Sequence, residues 1–251
     1  MKFALIGSGF VGGCVRRHLN IKNVLTLEEG SIDLINEADT VFLCLPTPYS
    51  AATGFDISAL TSNIEQLREG MNVVIKSTVM PGTCESLALR YPRLRFFFNP
   101  EFLKAATPWD DYINPDRQII GITSDSDDNM EIADHLLDVL PEAIAGEICF
   151  ATEAEMVKIA ANNFLALKVV FFNEVYDYCR RVGADYDKVA DLIKMDARIG
   201  TSHMDVNDDG YRGYSGTCFP KDVQAFVHGT HSELMQKAHE INKRLLSSSG
   251  K

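Results

Sequence analysis

The sequence contains no run of basic residues, and its formal net charge is −11. Nucleic acid and anionic membranes are therefore poor candidate partners, because both attract basic surfaces. No segment approaches eighteen uninterrupted apolar residues, so no membrane-spanning helix is predicted. The first apolar run, MKFALIGSGF, is too short for the core of a signal peptide and ends in glycines rather than a cleavage site. We therefore predict a cytoplasmic protein without a nucleic-acid or membrane partner.

Closely spaced cysteines are also absent. The six cysteines have no C-x-x-C pair, which argues against a zinc site and against a dense disulfide framework. They are Cys14, Cys44, Cys84, Cys149, Cys179 and Cys218. His228 and His231 are three residues apart with His239 beyond, but no cysteine or acidic ligand accompanies them at a suggestive spacing. We expect a surface histidine pair and no bound metal.

Short apolar runs alternate with helical patterns in the first half of the chain. The runs predict strands at residues 3–6, 24–27, 40–45, 73–76, 94–98 and 118–122. Apolar residues spaced three and four apart predict amphipathic helices at 57–70 and 128–140, and a further helix at 11–19 follows the first strand. This alternation predicts an α/β fold, a Rossmann-type doubly wound parallel sheet with helices on both faces.

The character of the chain changes near Thr152. One long helical pattern opens there with a Thr-x-x-Glu capping box formed by Thr152 and Glu155, and it ends at Gly183. Strands almost vanish beyond it, so we predict a dinucleotide-binding domain over 1–151 and an all-helical region over 152–251. Four apolar residues of the long helix are expected to be core: Phe164, Leu167, Phe171 and Phe172.

A glycine motif opens the chain. Gly7, Gly9 and Gly12 fit G-x-G-x-x-G directly after the first strand and at the start of a helix. In this context the motif predicts a dinucleotide whose pyrophosphate lies on the helix N-terminus. Glu28, about twenty residues on, is expected to bind the ribose hydroxyls, with Glu29 as the alternative. An acidic residue there disfavours the extra phosphate of NADP, so NAD is the predicted cofactor.

A cysteine in a glycine-rich loop indicates a candidate catalytic nucleophile. In YRGYSGTCFPKD, residues 211–222, Gly213 and Gly216 leave room beside Cys218, and Lys221 supplies a positive charge. A nucleophilic cysteine requires such room and a nearby cation that favours the thiolate. A buried structural cysteine requires neither.

Further motifs stand beside the predicted strands, where open α/β sheets bind their ligands. They are LCLPTP (43–48), KSTVMPGT (76–83), NPEFL (99–103) and NPDRQIIG (114–121). Together with EMVKIAANNFLALK, RIG and GTCFPKD, this ordered set resembles the nucleotide-sugar 6-dehydrogenases. The resemblance runs from Met1 to about Asp222 and does not by itself decide between UDP-glucose, UDP-N-acetylmannosamine and GDP-mannose as substrate.

The resemblance implies NAD-dependent oxidation of the C6 hydroxymethyl group of a nucleotide sugar, with UDP-glucose to UDP-glucuronate as the expected reaction. The family uses two NAD in succession and captures the aldehyde on a cysteine. The resemblance implies a catalytic set in which Cys218 is the nucleophile and Lys158 and Asn162 stabilise negative charge. Glu101 is the expected base, and Thr78 is expected to position water. Lys221 and Asp222 complete the set beside the cysteine. Lys158 and Asn162 match the family's E-x-x-K-x-x-x-N and lie four residues apart on one helix face.

The same resemblance implies two binding sets. The cofactor set is Gly7, Gly9, Phe10, Val11, Gly12, Glu28, Pro46, Thr47, Thr78 and Lys221. The substrate set is Phe102, Leu103, Lys158, Asn162, Tyr214 and Gly216. Structural alternatives remain open for three residues. For Lys158 the alternative is an ordinary solvated lysine on a helix. For Glu101 it is a cap of the next helix. For Asn162 the alternative is that Asn163 is the functional amide, if the register slips by one.

The chain also departs from the family pattern. Only about twelve residues separate the second and third strands, and NPEFL is followed by Lys104-Ala105-Ala106 where the family has x-Glu-Gly. Ser215 replaces a glycine at a position where positive φ is expected, at a steric cost. Family members continue into a second α/β domain that holds much of the nucleotide. We therefore expect a second subunit or partner chain to complete the substrate site. The central helices of the family form a dimer, so the resemblance also implies a homodimer.

Two other functions stay open at this point. One is an NAD-binding regulatory or assembly subunit without independent activity. The other is a dehydrogenase of small hydroxy acids. The first has no need for Cys218, Lys158, Asn162 and Glu101 together, and the second has no use for a cysteine nucleophile.

Overall fold

A computed structural model of the chain describes residues 1–26, 29–207 and 210–249. The chain forms two compact units. Unit 1 comprises Met1–Pro48 and Phe55–Lys158, and unit 2 comprises Tyr49–Gly54 and Ile159–Lys251. The predicted boundary at residue 151 falls where the longest helix begins, and that helix contributes residues 151–158 to unit 1.

The strands and helices have the following bounds. The strands are β1 (Phe3–Ile6), β2 (Asn23–Leu25), β3 (Thr40–Leu43), β4 (Tyr49–Ser50), β5 (Gly54–Phe55), β6 (Asn72–Ile75), β7 (Arg95–Phe98), β8 (Arg117–Ile122) and β9 (Ala145–Phe150). The helices are α1 (Phe10–His18), α2 (Ile32–Ile35), α3 (Ser58–Ile64), α4 (Thr83–Arg90), α5 (Pro108–Ile113), α6 (Asp127–Val139), α7 (Ala151–Val182), α8 (Tyr186–Lys194), α9 (Phe219–Thr230) and α10 (Glu233–Ser248).

Unit 1 is built on one sheet with strand order β2-β1-β3-β6-β7-β8-β9. The chain begins at β1, adds β2 on one side and then crosses to β3 on the other, so the order reverses between β1 and β3. Such a reversal opens a crevice at the carboxyl ends of the strands, where dinucleotides bind. The predicted Rossmann-type α/β fold is confirmed.

One pair in the sheet departs from the predicted parallel arrangement. β7 and β8 are antiparallel, whereas the other paired strands of this sheet are parallel. An antiparallel neighbour begins at the edge where the preceding strand ends. The segment 99–116, which contains NPEFL and α5, therefore starts and finishes at the carboxyl edge of β7.

Alternation along the strands places apolar side chains on both faces of the sheet. Ile6, Leu43 and Ile75 belong to one buried cluster together with residues of α3 and α4. Phe42 and Phe97 belong to a second cluster together with residues of α1 and α6. Strands that are buried on both faces read as continuous apolar runs, which is why the sequence revealed them.

The predicted capping box at the start of α7 is wrong. The helix begins at Ala151, so Thr152 already lies inside it. The carboxylate of Glu153 accepts the Phe150 N–H at 2.9 Å. Glu155 instead accepts the N–H groups of Gly82 at 2.6 Å and Cys84 at 2.9 Å, at the start of α4. The predicted end of the helix holds, because Gly183 follows Val182 with φ of 76°.

Unit 2 packs α8, α9 and α10 with the larger part of α7. Its two apolar clusters contain Val170, Val223 and Met235 in one, and Phe172 and Tyr186 in the other. Two residues that were predicted to lie in the core are exposed instead. Phe164 is 63% exposed and Phe171 is 57% exposed. Within the described part of the chain, the search for a helix of sufficient length and apolarity to span a membrane found none.

Candidate active site

The glycine motif forms the turn between β1 and α1. Gly7 has φ of 88°, and a Cβ there would lie 2.5 Å from the carbonyl oxygen of Cys44. A Cβ on Gly12 would lie 1.9 Å from the carbonyl oxygen of Gly7. A Cβ on Gly9 would meet no protein atom within 4 Å. Gly7 and Gly12 are thus required by the turn itself, whereas Gly9 leaves open space at the N-terminus of α1, where a pyrophosphate fits.

The remaining cofactor residues of unit 1 lie along the same edge of the sheet. Phe10 is about half exposed and Val11 is partly buried in the first turn of α1. Pro46 and Thr47 follow β3, and the Thr47 hydroxyl donates to the carbonyl oxygen of Thr78 at 2.6 Å. Thr78 follows β6. Glu28 lies outside the described residues. Its alternative, Glu29, pairs with Arg16, with 2.7 Å between carboxylate and guanidinium.

Glu101 and Lys158 form a buried ion pair in unit 1. The Lys158 Nζ donates to Glu101 Oε1 and to the Glu101 carbonyl oxygen, each at 2.7 Å. Glu101 Oε2 accepts the Leu103 N–H at 2.8 Å, and no helix begins there, so Glu101 is not a helix cap. Burial raises the pKa of Glu101, but the charge and hydrogen bond of Lys158 outweigh it and hold the pKa below its usual range. Lys158 is 4% exposed and is not a solvated lysine.

Phe102 and Leu103, two predicted substrate residues, flank this pair and are partly buried. Phe102 packs against the apolar cluster that contains Ile6, and the guanidinium of Arg117 lies 3.9 Å from the centre of its ring. Leu103 packs against the cluster on the other face of the sheet. The loop that carries Glu101 is thus anchored on both faces.

Lys76 is a residue that the sequence reading did not single out. It ends the apolar run of β6, is 4% exposed, and its Nζ donates to the side-chain oxygen of Asn99. Asn99 in turn donates to the carbonyl oxygen of Ile119 at 2.8 Å, which links β6, β7 and β8. Burial is the main cause that lowers the pKa of Lys76 to about 8. The sequence did contain a signal for this contact, because Lys76 directly follows the apolar strand β6 and Asn99 directly follows β7.

Unit 2 gathers a second set around Asp222, which is fully buried. Its Oδ2 accepts from Asn162 Nδ2 at 2.6 Å, and its Oδ1 accepts from Lys221 Nζ at 2.6 Å. The Asn163 side chain donates to backbone carbonyls instead, those of Ile159 at 2.9 Å and Asp222 at 3.3 Å. Asn162 is therefore the amide that joins the carboxylate, as its spacing from Lys158 indicates.

Cys218 is exposed and is the N-cap residue of α9, with no side-chain cap. This position lies at the N-terminus of the helix, where the first backbone N–H groups have no partner within the helix. The preceding loop turns at Gly213 and Gly216, with φ of 86° and 81°. Ser215 has no positive φ, so the expected steric cost is wrong, since the two retained glycines supply the left-handed conformations.

Tyr214 and Gly216 differ in accessibility. The Tyr214 side chain is 3% exposed, and its hydroxyl lies 3.2 Å from His239 Nδ1. Its backbone exchanges two hydrogen bonds with the Asn242 side chain. Gly216 is exposed, and a Cβ there would meet nothing within 4 Å. Among the residues that the structure describes, no three His, Cys, Asp or Glu side chains cluster to hold a metal.

Comparison with known proteins gives the family. Residues 15–138 match the NAD-binding domain, and residues 152–244 the central domain, of the UDP-glucose/GDP-mannose dehydrogenase family. The chain belongs to this family. Its cofactor is NAD. The pyrophosphate of NAD fits at the N-terminus of α1, because Gly9 leaves open space there and no side chain caps the helix.

Individual relatives belong to the same family of dehydrogenases. The chain is 31% identical to UDP-glucose 6-dehydrogenase TuaD of Bacillus subtilis over 89% of its own length and 51% of the relative's. It is 33% identical to a UDP-glucose 6-dehydrogenase of Pseudomonas aeruginosa, over 88% of the chain and 52% of the relative. The chain thus spans about half the length of the curated relatives it matches.

The fold is shared with solved structures. A UDP-glucose dehydrogenase from the archaeon Pyrobaculum islandicum superimposes with a TM-score of 0.83 at 26% identity, covering 97% of this chain and 68% of that one. GDP-mannose dehydrogenase from Pseudomonas aeruginosa superimposes with a TM-score of 0.70 at 22% identity, covering 100% and 68%. The second similarity is one of fold alone.

Proposed function

We propose that this chain is an NAD-dependent nucleotide-sugar 6-dehydrogenase that oxidises the C6 hydroxymethyl of UDP-glucose to the carboxylate of UDP-glucuronate. The observation that supports it best is the Glu101–Lys158 pair, with 2.7 Å between nitrogen and oxygen. A buried lysine and carboxylate beside a dinucleotide turn suit the transfer of protons to and from an alcohol and a water. The choice of UDP-glucose rests on the curated relatives, which carry that name.

The proposed chemistry assigns a role to each residue of the predicted catalytic set. NAD, held at the turn of Gly7, Gly9 and Gly12, would supply the hydride acceptor for each of the two oxidation steps. The Cys218 thiolate adds to the intermediate aldehyde, and loss of the second hydride leaves a thioester. Water then cleaves the carbon–sulfur bond and returns the thiolate. Overall, one alcohol, two NAD⁺ and one water give one carboxylate, two NADH and three protons.

The polar residues have distinct tasks in this proposal. Lys158 stabilises the oxygen that becomes negative as hydride leaves and as thiolate or water adds. Glu101 accepts the proton of the attacking water once Lys158 has turned to the substrate oxygen, because the loss of that partner raises the affinity of its carboxylate for a proton. In this proposal Asn162, Asp222 and Thr78 have the role of positioning water, and Lys221 has the role of binding cofactor and substrate.

A homodimer is the second part of the proposal. The exposed side chains Phe164, Phe171 and Tyr178 repeat every seven residues along α7, and Val182 extends the same stripe. Residues at this spacing share one side of a helix. A second copy of the chain presents the same stripe, and an isologous contact buries both.

NADH formation tests the enzymatic proposal. We expect wild type to yield two NADH per UDP-glucose, more slowly or not at all with UDP-N-acetylmannosamine or GDP-mannose. Cys218→Ser should lower the rate of complete oxidation by at least about 10³-fold, because the nucleophile is lost. Cys149→Ser, a half-buried cysteine of unit 1, serves as the matched control and should keep the wild-type rate.

The other outcomes are informative. If NADH binds but no sugar yields NADH, the chain alone is not the dehydrogenase. An NAD-binding regulatory or assembly subunit, or a site completed by a partner chain, then replaces the proposal. Two NADH per sugar from Cys218→Ser at the wild-type rate would contradict the covalent mechanism while leaving the dehydrogenase intact.

A further inference from the structure

Lys76 places a buried positive charge directly after β6 without a bonded counter-ion. The residue is 4% exposed. Its Nζ donates to the Asn99 side-chain oxygen at 2.5 Å and to the Asn99 carbonyl oxygen at 3.4 Å. Both acceptors are neutral, and among the described residues no carboxylate forms a hydrogen bond or ion pair with Lys76. A buried charge is costly unless an opposite charge compensates it, so the surroundings of Lys76 should contain a counter-charge.

Asn99 fixes Lys76 at the start of the loop that carries Glu101. Its Nδ2 donates to the Gln118 side-chain oxygen at 3.1 Å and to the Ile119 carbonyl oxygen at 2.8 Å. Asn99 is fully buried, so turning its side chain away would leave buried polar groups unpaired. Glu101 follows two residues later in the chain. The contacts that hold Lys76 in place thus do not involve Lys158.

Glu101 is the acidic group that compensates the charge of Lys76. Burial opposes this charge and is the main cause of the lowered pKa of Lys76, attraction by Glu101 favours the charge, and repulsion by Lys158 opposes it. The thiols of Cys44 and Cys14 also face Lys76. They are uncharged at neutral pH, because burial raises the pKa of Cys44 to about 12 and also raises the pKa of Cys14.

Two lysines thus share one buried carboxylate, and only one of them is bonded to it. Lys158 Nζ lies 2.7 Å from Glu101 Oε1, and the two side chains are 5% and 12% exposed. Burial raises the pKa of Glu101, the charge and hydrogen bond of Lys158 lower it most, and Lys76 lowers it further. This group of three residues has one positive charge in excess.

We propose that Lys76 is a positioning residue that keeps the Glu101 carboxylate ionised while Lys158 is engaged with the substrate oxygen. The inference rests on the proposed function, in which Lys158 leaves Glu101 during the reaction. A buried carboxylate that loses its bonded partner tends to take up a proton. A protonated Glu101 cannot accept a proton from the attacking water. Lys76 stays in place because Asn99 holds it, and its charge limits that uptake.

A titration of Glu101 in the Lys158→Met background tests this role without any sugar, because the loss of Lys158 imitates its departure. The carboxyl group is followed by NMR on protein labelled at the glutamate Cδ, and Glu101→Gln assigns its signal. We expect Glu101 to bind a proton about tenfold more tightly in Lys158→Met/Lys76→Met than in Lys158→Met, since a nearby opposite charge commonly changes the proton affinity of a carboxylate by this much. Equal affinities in the two variants would overturn the proposal.

Two further variants in the Lys158→Met background separate charge from packing. Lys76→Gln keeps a donor for Asn99 but removes the charge, so it should reproduce the gain in proton affinity. Gln118→Met is the matched control, because it removes a neutral, buried partner of Asn99 and leaves Lys76 charged. Its proton affinity at Glu101 should stay within about twofold of the Lys158→Met value. The full gain in Gln118→Met would assign the effect to loosened packing and overturn the proposal.

Catalysis gives a second readout. In an active enzyme, Lys76→Met should shift the acidic limb of the kcat profile to higher pH, because Glu101 must be ionised to act as a base. An unmoved limb would contradict the role of Lys76. If the wild-type chain oxidises no nucleotide sugar, the proposed function fails, and the titration still decides whether Lys76 supports the charge of Glu101.

Discussion

The glycines of the G-x-G-x-x-G motif have different surroundings and therefore different tolerances. Gly12 packs its Cα against the carbonyl of Gly7, so any side chain there collides with backbone. Gly9 has φ of −69° and ψ of −153°, an extended conformation that alanine also adopts. A methyl group on Gly9 meets only the space that we assign to the pyrophosphate.

The substitution Gly9→Ala should separate binding from stability. We expect its free energy of unfolding to stay within about 1 kcal/mol of wild type, and NADH binding to weaken at least about tenfold because the methyl blocks the phosphate. Thermal unfolding and NADH fluorescence measure the two quantities.

Alanine substitutions at two neighbouring glycines serve as controls for Gly9→Ala. Gly12→Ala should destabilise the protein by roughly 1–3 kcal/mol or more, through the backbone collision. Gly13→Ala should retain both stability and binding, because a Cβ there lies 3.7 Å from the Ser8 carbonyl oxygen, an ordinary contact. Tight NADH binding by Gly9→Ala would show that the pyrophosphate lies elsewhere.

Sequence reasoning at the residue scale succeeded where spacing decides geometry. The glycine motif is an example, because it forms the turn between β1 and α1 that its spacing predicts. The functional preference for Asn162 over Asn163 stays a prediction. Sequence reasoning failed where a backbone angle or a buried partner decides. Ser215 takes an ordinary φ, and the role of Lys76 depends on Asn99 in the next strand, which no local pattern reveals.

At the scale of elements, α4 and α7 exchange acidic side chains at their N-termini. Glu85 of α4 accepts the Thr152 N–H at 2.9 Å, while Glu155 of α7 accepts the N–H groups of Gly82 and Cys84. Each carboxylate satisfies donors that a helix leaves unpaired. Glu155 is fully buried, and this burial raises its pKa to about 7 despite those hydrogen bonds.

The raised pKa of Glu155 predicts a pH-dependent stability. Between its ordinary value of 4.5 and about 7, the folded state binds a proton that the unfolded state has lost. The free energy of unfolding should therefore fall as pH rises through this window, by at most roughly 3.5 kcal/mol at about 1.4 kcal/mol per pKa unit. Urea denaturation at pH 5 and pH 7.5 should show this fall in wild type and a smaller one in Glu155→Gln. Equal falls in both would contradict the assignment to Glu155.

Helices and central strands could be predicted because their apolar periodicity is strong. The first turn of α7 could not, because Glu155 matches a local cap by sequence while its partners are 71 and 73 residues away in the chain. β9 was also missed. Its sequence AGEICF begins with small and charged residues and is largely exposed, as suits the last strand of the sheet, so it lacks the apolar run that marked the others.

At the scale of the whole molecule, the stripe on α7 shows a limit of sequence reading. Phe164 and Phe171 were expected in the core because they are apolar and lie on a helix, yet both are exposed on the single chain. An apolar face buried by a second subunit has the same sequence pattern as one buried by its own chain. Only the three-dimensional structure of one subunit separates the two.

The dimer proposal predicts that Phe171→Glu yields a monomer at concentrations where wild type is a dimer. Two desolvated charges at a self-complementary contact oppose association. Size-exclusion chromatography with light scattering measures the mass of each. Leu192→Glu, at a site 56% exposed on α8, is the control and should remain dimeric. A monomeric wild type, or a dimeric Phe171→Glu, would refute this contact.

The short segment Tyr49–Gly54 groups with unit 2, although the residues on both sides of it belong to unit 1. Its strand β4 contacts α9, the helix that Cys218 caps. The coding sequence of unit 2 is therefore split in two. A genetic exchange between relatives that joins the first half of one to the second half of another at residue 158 would separate β4 from the α9 with which it evolved. We expect functional chimeras to arise more readily when codons 49–54 travel with the downstream half, although these codons lie far from the crossover.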